Sequence, residues 1–258
     1  MRYFVELRYD GADFCGWQRQ PDVPSVQQTV EGALSRLLGT HTEITGAGRT
    51  DSGVNASYYV AHFDCDAAFD VAQTMYKLNM MLPKSIGIFS ITPVSDAAHA
   101  RFSAREREYQ YYISTVKNPF RRYSAWLYYV PLDVDAMNAA AAKLLEYSDF
   151  TSFAKLGSDN KTNICKIMCA YWTAEPDGVL KFTIRADRFL RNMVRAIVGT
   201  LVDVGRGKYS VSEFCNIIEA RDLSRSSAGA PAQGLFLSDV AYNNDTFIKT
   251  VNFNINQN

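Results

Sequence analysis

At 258 residues, 47% apolar and 21% charged, the chain can bury a full core as one large or two modest domains, which excludes an intrinsically disordered protein. Lysine plus arginine equals aspartate plus glutamate at 27 each, so whole-chain charge gives no support for a polyanionic partner, and no stretch offers the roughly 18 consecutive apolar residues of a membrane span. The five cysteines are odd in number and lack a Cys-x-x-Cys pair, which indicates reduced thiols rather than a disulfide framework or a zinc site; the chain reads as cytosolic and mature from Met1.

Taken in chain order, Arg2 to Tyr9 alternates apolar and polar residues and predicts a strand. Ser25-Val-Gln-Gln28 has the form of a capping box, after which Val26, Val30, Leu34, Leu37 and Leu38 recur at helical spacing until Gly39. A strand is expected over Ser57 to Asp64, a helix over Phe69 to Leu82 ended by Pro83, and a strand over Ile86 to Pro93. Strands then follow at Glu108 to Thr115 and Ala125 to Val130, with a helix at Val134 to Tyr147. Gly157-Ser-Asp-Asn160 has loop composition. Two strands, Lys166 to Ala174 and Val179 to Ala186, precede a long helix from Arg188 to Val204. That helix would step its apolar pairs by four and leave Arg188, Arg191 and Arg195 on an adjoining face. Ser210-Val-Ser-Glu213 caps a last helix running to Arg221. The order of elements is similar in both halves and predicts an α+β chain of two units, residues 1–100 and 101–258, packed tightly because no low-complexity linker divides them.

Charge is neutral overall but uneven. From Lys181 to Lys208, Lys181, Arg185, Arg188, Arg191, Arg195, Arg206 and Lys208 stand against Asp187 and Asp203, an excess of +5. From His99 to Arg122, Arg101, Arg105, Arg107, Lys117, Arg121 and Arg122 stand against Glu106 and Glu108, an excess of +4. Two basic regions on a neutral chain suit a localised anion contact, although a solvated helix face would explain either one alone.

Between the Ile44 segment and the Ser57 strand lies Gly46-Ala-Gly-Arg-Thr-Asp-Ser-Gly-Val-Asn-Ala56. It is not a Walker loop, which needs Gly-Lys-Ser/Thr and a following helix, and its glycines do not match Gly-x-Gly-x-x-Gly. A purely conformational role remains open, with glycines supplying positive φ and Arg49 pairing with a surface acid. Other chemistries find less support. His41, His62 and His99 are not at metal-ligand spacing, no Gly-x-Ser-x-Gly elbow occurs, and nothing selects a Cys–His pair. Asp51, on a tight loop that can fix its rotamer, is the best candidate for a reactive group.

Five segments in order carry a family resemblance. Gly48 to Ala56 resembles the pattern Gly-Arg-Thr-Asp-Ala-Gly-Val-His-Ala that surrounds the catalytic aspartate of TruA-type tRNA pseudouridine synthases, departing only at Ser52 and Asn55. Tyr9-Asp-Gly-Ala-Asp-Phe-Cys-Gly-Trp-Gln-Arg-Gln20 resembles the family's first motif, and His99-Ala-Arg-Phe-Ser-Ala104 with Arg107-Glu-Tyr109 resembles the segment of its active-site tyrosine. Phe189-Leu-Arg-Asn-Met-Val-Arg195 with Val204-Gly-Arg-Gly-Lys208 resembles the helix bearing its arginine, and Ala230-Pro-Ala-Gln-Gly-Leu-Phe-Leu237 the closing motif.

The resemblance implies a pseudouridine synthase fold: two similar subdomains with mainly antiparallel sheets joined across a central cleft, helices on the outer face. It also implies an isomerase that breaks the uridine N1–C1′ bond, turns the base and rejoins it through C5, using a flipped-out nucleotide. Asp51 would act as nucleophile or base, routes that the sequence leaves open. Arg49 would enter the vacated stack and grip the backbone, with Arg188 and Arg191 as further RNA contacts. Tyr109 would present a face to the base and take part in moving the C5 proton, Leu235 would pack on the opposite side, and Arg195 would pair with Asp51. No metal or organic cofactor is implied, and no membrane. The implied partners are tRNA, at uridines 38, 39 and 40 of the anticodon stem-loop, and a second copy of the chain. Asn55 in place of histidine keeps open a paralogue acting on other RNA uridines or a non-catalytic RNA-binding module; a glycosidase acting on small nucleosides would need neither the basic regions nor a dimer.

Overall fold

Strand β1 (Arg2–Tyr9) forms where alternation predicts it, burying Val5, Leu7 and Tyr9. Helix α1 (Val26–Leu38) starts where the Ser25 hydroxyl accepts the Gln28 amide at 3.3 Å and stops at Gly39, which takes the left-handed conformation at φ 70°. The computed structural model describes residues 1–155 and 161–247, so the Gly157–Asn160 stretch lies outside the described residues. The chain continues through β2 (Thr45–Gly46), β3 (Asn55–Asp64), α2 (Val71–Met81) and β4 (Ile86–Val94). It then runs through β5 (Glu106–Ser114), β6 (Trp126–Leu127), α3 (Val134–Lys143), β7 (Ile167–Glu175) and β8 (Val179–Ala186), and ends with α4 (Met193–Gly205), α5 (Val211–Glu219) and β9 (Leu235–Ala241).

Several expected boundaries move, each for a local reason. Helix α2 begins at Val71 because Asp70 accepts the Gln73 amide, while Phe69 instead packs on Tyr3 with ring centres 5.0 Å apart. Strand β6 is two residues long, since it pairs only with the last residues of β5, Ile113 and Ser114. The long helix expected from Arg188 begins only at Met193: Asn192 is left-handed at φ 66°, so helical geometry cannot run back through it. Arg188 and Arg191 therefore lie on the β8–α4 turn and not on a helix face with Arg195. Strand β9 has no counterpart in the sequence reading.

One mixed sheet runs through the molecule in the order β4-β1-β3-β9-β5-β8-β7, with β2 on β3 and β6 on β5. Pairing is antiparallel except at β3–β9 and β5–β6. The last strand of the chain thus lies between the N-terminal and C-terminal strands, touching β3 through Asn55↔Phe236 and Ala56↔Leu237. Two hydrophobic cores flank this junction. One gathers β1, β3, β4, α1 and α2 around Phe4, Leu7, Val30, Leu34 and Tyr59; the other gathers β5, β7, β8, α3, α4 and α5 around Tyr111, Phe182, Ile184, Ile197 and Phe214. Tyr109 packs against both. Each fully buried large apolar side chain stabilises the fold by about 1.5–3 kcal/mol. No described helix is long and apolar enough to cross a membrane.

Candidate active site

The glycine-rich loop between β2 and β3 is pinned along its length. The Ala47 carbonyl accepts from Arg107 Nη2 at 3.1 Å, the Gly48 carbonyl accepts from the Tyr59 hydroxyl, and Thr50 Oγ1 hydrogen-bonds the Tyr9 hydroxyl at 2.9 Å. Beyond Asp51, the Ser52 hydroxyl and the Gly53 amide both donate to the Phe14 carbonyl at 3.3 Å, and the Val54 amide closes the turn on the Asp51 carbonyl at 3.1 Å. Of the three glycines only Gly53 uses positive φ, at 74°. Gly46 is needed for close approach: a Cβ there would lie 2.1 Å from the Tyr59 hydroxyl and 2.5 Å from Trp17 Nε1, and those two rings stack at 4.1 Å beneath the loop.

Asp51 faces a cavity of about 480 Å³ lined also by Ser52, Lys155, Arg191, Asn192, Arg195, Leu223 and Gly229. Two guanidiniums flank its carboxylate, Arg195 Nη1 at 3.7 Å from Oδ2 and Arg191 Nε at 3.6 Å from Oδ1. Both distances are those of ion pairs rather than hydrogen bonds. The two arginines differ in support. Arg195 is 23% exposed and its Nε donates to the Ala230 carbonyl at 2.7 Å, whereas Arg191 is 57% exposed and its side chain makes no other polar contact with a described residue.

Helix α4 makes this support possible. Gly199 lies so close to the Ala228 carbonyl that a Cβ would come within 2.1 Å of that oxygen, so the 227–230 segment can lie flat along the helix. The segment is fastened there by Ser227 Oγ to Asp203 Oδ2 at 2.6 Å and by the Ala230 amide to the Arg195 carbonyl at 2.9 Å. Arg195 is thus held at both its backbone and its side chain by the same residue.

Tyr109 stands on β5, half-buried and outside the lining of the Asp51 cavity, with Phe189 edge-on at 5.1 Å between ring centres. Burial pushes its phenol up to about 12; the Arg107 guanidinium opposes this, and the negative charge of Asp51 adds to it. At neutral pH the hydroxyl keeps its proton, and no described residue hydrogen-bonds it. Leu235 is buried, opposite Tyr111 in the β5–β9 register, while Leu237 is the residue opposite Tyr109. Arg49 is exposed beside a smaller cavity of about 150 Å³ that Arg101 also lines.

The run of charge from 181 to 208 does not form one surface. Lys181 pairs with Glu175 at 2.7 Å, Arg185 with Glu108 at 2.7 Å, and Arg206 and Lys208 with Asp203, which leaves Arg188, Arg191 and Arg195 near the β8–α4 turn. Sequence reasoning also gave no role to Arg107. From the same strand as Tyr109, two positions away, it donates to the carbonyls of Ala47, Arg101, Ala104 and Asp187, joining the Asp51 loop to the 99–105 segment and to the β8–α4 turn. Burial lowers its pKa from the ordinary arginine value. The two-residue spacing was the available signal, because i and i+2 share a strand face. No group of three or more metal-ligating side chains occurs among the described residues.

A loop-borne aspartate set between paired arginines, over a two-core mixed sheet, belongs to a recognisable class. The profile of the family described as tRNA pseudouridine synthase matches residues 140–243. Beyond that segment, the chain is 52% identical over 247 residues to tRNA pseudouridine synthase A of Bacteroides fragilis, covering 95% of this chain and 98% of the relative. It is 49% identical to the protein of that name from Porphyromonas gingivalis, covering 96% and 99%, and 38% identical to that from Burkholderia cenocepacia, covering 94% and 90%. The chain belongs to the tRNA pseudouridine synthase A family.

Proposed function

We propose that this chain isomerises uridine to pseudouridine in the anticodon stem-loop of tRNA, at positions 38, 39 and 40, as a cytoplasmic homodimer that needs no metal or organic cofactor. The observation that carries the reading is Asp51 on a pinned loop, paired with Arg195 at the wall of a cavity, in a chain so similar to named tRNA pseudouridine synthases. Residues 1–100 and 101–258 serve as two subdomains, one presenting the reactive carboxylate and the other the tyrosine and arginines; the presence of two cores supports that division, although Val54 joins the C-terminal core and Leu237 and Val240 of β9 join the N-terminal one.

The reaction conserves atoms. The N1–C1′ bond breaks, the base turns, C5 bonds to C1′, and the proton on C5 is removed as N1 gains one. The uridine must first leave its stack, at a cost of a few kcal/mol that protein contacts offset. Arg49 fills the vacated place and grips the backbone; its exposure and lack of any ion pair with a described residue support that role. Asp51 acts on the ribose or the ring as an ionised carboxylate, with Arg195 as its partner. Tyr109 supplies a face for the base and, still protonated at neutral pH, a hydroxyl near the atoms that exchange protons. Leu235 packs on the other side of the base. For the polyanion, Arg188 and Arg191 lie on one turn, and Arg101, Arg121 and Arg122 meet no carboxylate among the described residues. Local patches of this kind suit a folded RNA read by shape and backbone.

The test is to map pseudouridine in unmodified tRNA transcripts after incubation with purified protein, with Asp51→Ala as the control. Product at 38 to 40 from the wild type alone is expected. Product elsewhere would make the chain a paralogue with another target, and tight tRNA binding without product would make it a binding module.

A further inference from the structure

Asn55 closes the Asp51 loop as the first residue of β3, and it is 1% exposed. Its amide is engaged on three sides. Oδ1 accepts from the Gly11 amide at 2.8 Å, while Nδ2 donates to the Gln233 carbonyl at 2.9 Å and the Tyr123 carbonyl at 3.3 Å. The three partners come from segments remote in sequence: the turn after β1, the stretch before β6, and the turn before β9.

Two of these segments adjoin the groups that hold the site's residues. The turn after β1 contains Phe14, whose carbonyl receives both Ser52 and Gly53. The 231–234 turn follows directly on Ala230, whose carbonyl holds Arg195, and a Cβ on Gly53 would sit 3.5 Å from Ala232. One continuous path therefore runs from Asp51 through Asn55, Gln233 and Ala230 to Arg195. A single uncharged side chain that both donates and accepts is what this joint needs, because a carboxylate could not donate to the two carbonyls and an apolar group would leave buried polar atoms unpaired.

We infer that Asn55 is a positioning residue, which sets the Asp51 carboxylate against Arg195 by locking the loop to the turn before β9. The inference rests on the reading of Asp51 as the reactive group. Loss of the amide leaves the Gly11 amide and the Gln233 carbonyl to seek other partners, and the loop is free to shift relative to α4.

Asn55→Ala and Asn55→Asp are to be assayed for single-turnover pseudouridine formation in a tRNA transcript, together with tRNA affinity and thermal unfolding. Folded variants are expected to lose roughly 10- to 100-fold in single-turnover rate with tRNA affinity retained. Asn55→His should recover most of the rate at pH above the imidazole's titration range, where the neutral ring still carries one donor and one acceptor. A folded Asn55→Ala as fast as the wild type overturns the inference, as do losses that follow only the folded fraction, or an Asn55→His no faster than Asn55→Ala. Asp51→Asn run beside them separates the two readings. Turnover by that variant overturns the assignment of Asp51, whereas wild-type rates in Asn55→Ala beside an inactive Asp51→Asn overturn only the role of Asn55.

Discussion

The two sides of the cavity are built by different means. On the N-terminal side, Asp51 rides on a loop held by hydrogen bonds from the Tyr9 and Tyr59 hydroxyls and the Arg107 guanidinium and by its own bonds to the Phe14 carbonyl, and seated on the stacked rings of Trp17 and Tyr59, so its backbone has little freedom. On the C-terminal side, Arg191 and Arg195 are long cationic side chains carried by a turn and a helix start, and only Arg195 is fastened at its guanidinium. One side supplies position and the other supplies charge. The contrast shows how a neutral chain builds a charged site: the cations need no surplus, only a fixed carboxylate to face.

The comparison fails at once if the fixed carboxylate is dispensable. Asp51→Ala or Asp51→Asn should abolish turnover while leaving tRNA binding largely intact, and residual catalysis in single-turnover assays would break the scheme. Next in size, Arg195→Ala should lower the rate by about 10²-fold, in the range seen when a preorganised polar group is removed from an active site. Arg191→Ala should cost under about tenfold, because an exposed pair is worth about 0–1 kcal/mol. Equal rate losses in the two arginine variants would show that fastening to Ala230 has no bearing on the chemistry. Gly46→Ala tests the other side. Its Cβ must displace Tyr59 or Trp17, with an expected loss of about 1–3 kcal/mol in denaturant unfolding, and an unchanged midpoint would show that the ring pair is not a rigid seat.

The smallest effect lies within the N-terminal unit, where β3 meets the end of that unit at Ala100. His62 Nδ1 accepts the Ala100 amide at 3.1 Å, and burial, helped by Arg2 and His99 and opposed by Asp64, lowers its pKa from 6.5 to about 4. The folded state therefore favours the neutral ring. Its contribution to stability is present above pH 6.5 and is lost as pH falls from there towards 4. His62→Gln should flatten that part of the stability profile, and an unchanged slope in urea titrations at several pH values would refute the assignment.

Much of this was legible in residue order. The boundaries of β1, α1 and β4 and the cap of α5 follow from alternation, apolar spacing and capping chemistry, which act within a few residues. The capping box at Ser210 is complete, with Glu213 returning a bond to the cap. The loop motif singled out Asp51 for the same reason: the glycines and opposite charges that make it unusual are adjacent in the chain. The start of α4 was not legible. Apolar pairs from Phe189 onward keep helical spacing, yet Asn192 turns left-handed, with the Lys155 amide bonded to the Arg191 carbonyl and Gly229 packed against the Asn192 side chain. Those partners are remote in sequence and leave no periodic trace.

By itself the sequence determined which segments are helix and strand over most of the chain, which loop carries the candidate carboxylate Asp51, and which family the motifs resemble, because each depends on neighbouring residues. Tertiary structure alone decided that β9 inserts between β3 and β5, that Arg107 clamps four carbonyls, that Arg191 joins Arg195 at Asp51, and that Asn55 fastens the loop to the turn before β9. Each of these brings together residues far apart in the chain, and the energy that selects them comes from burial and hydrogen-bond satisfaction across the fold rather than from local propensity.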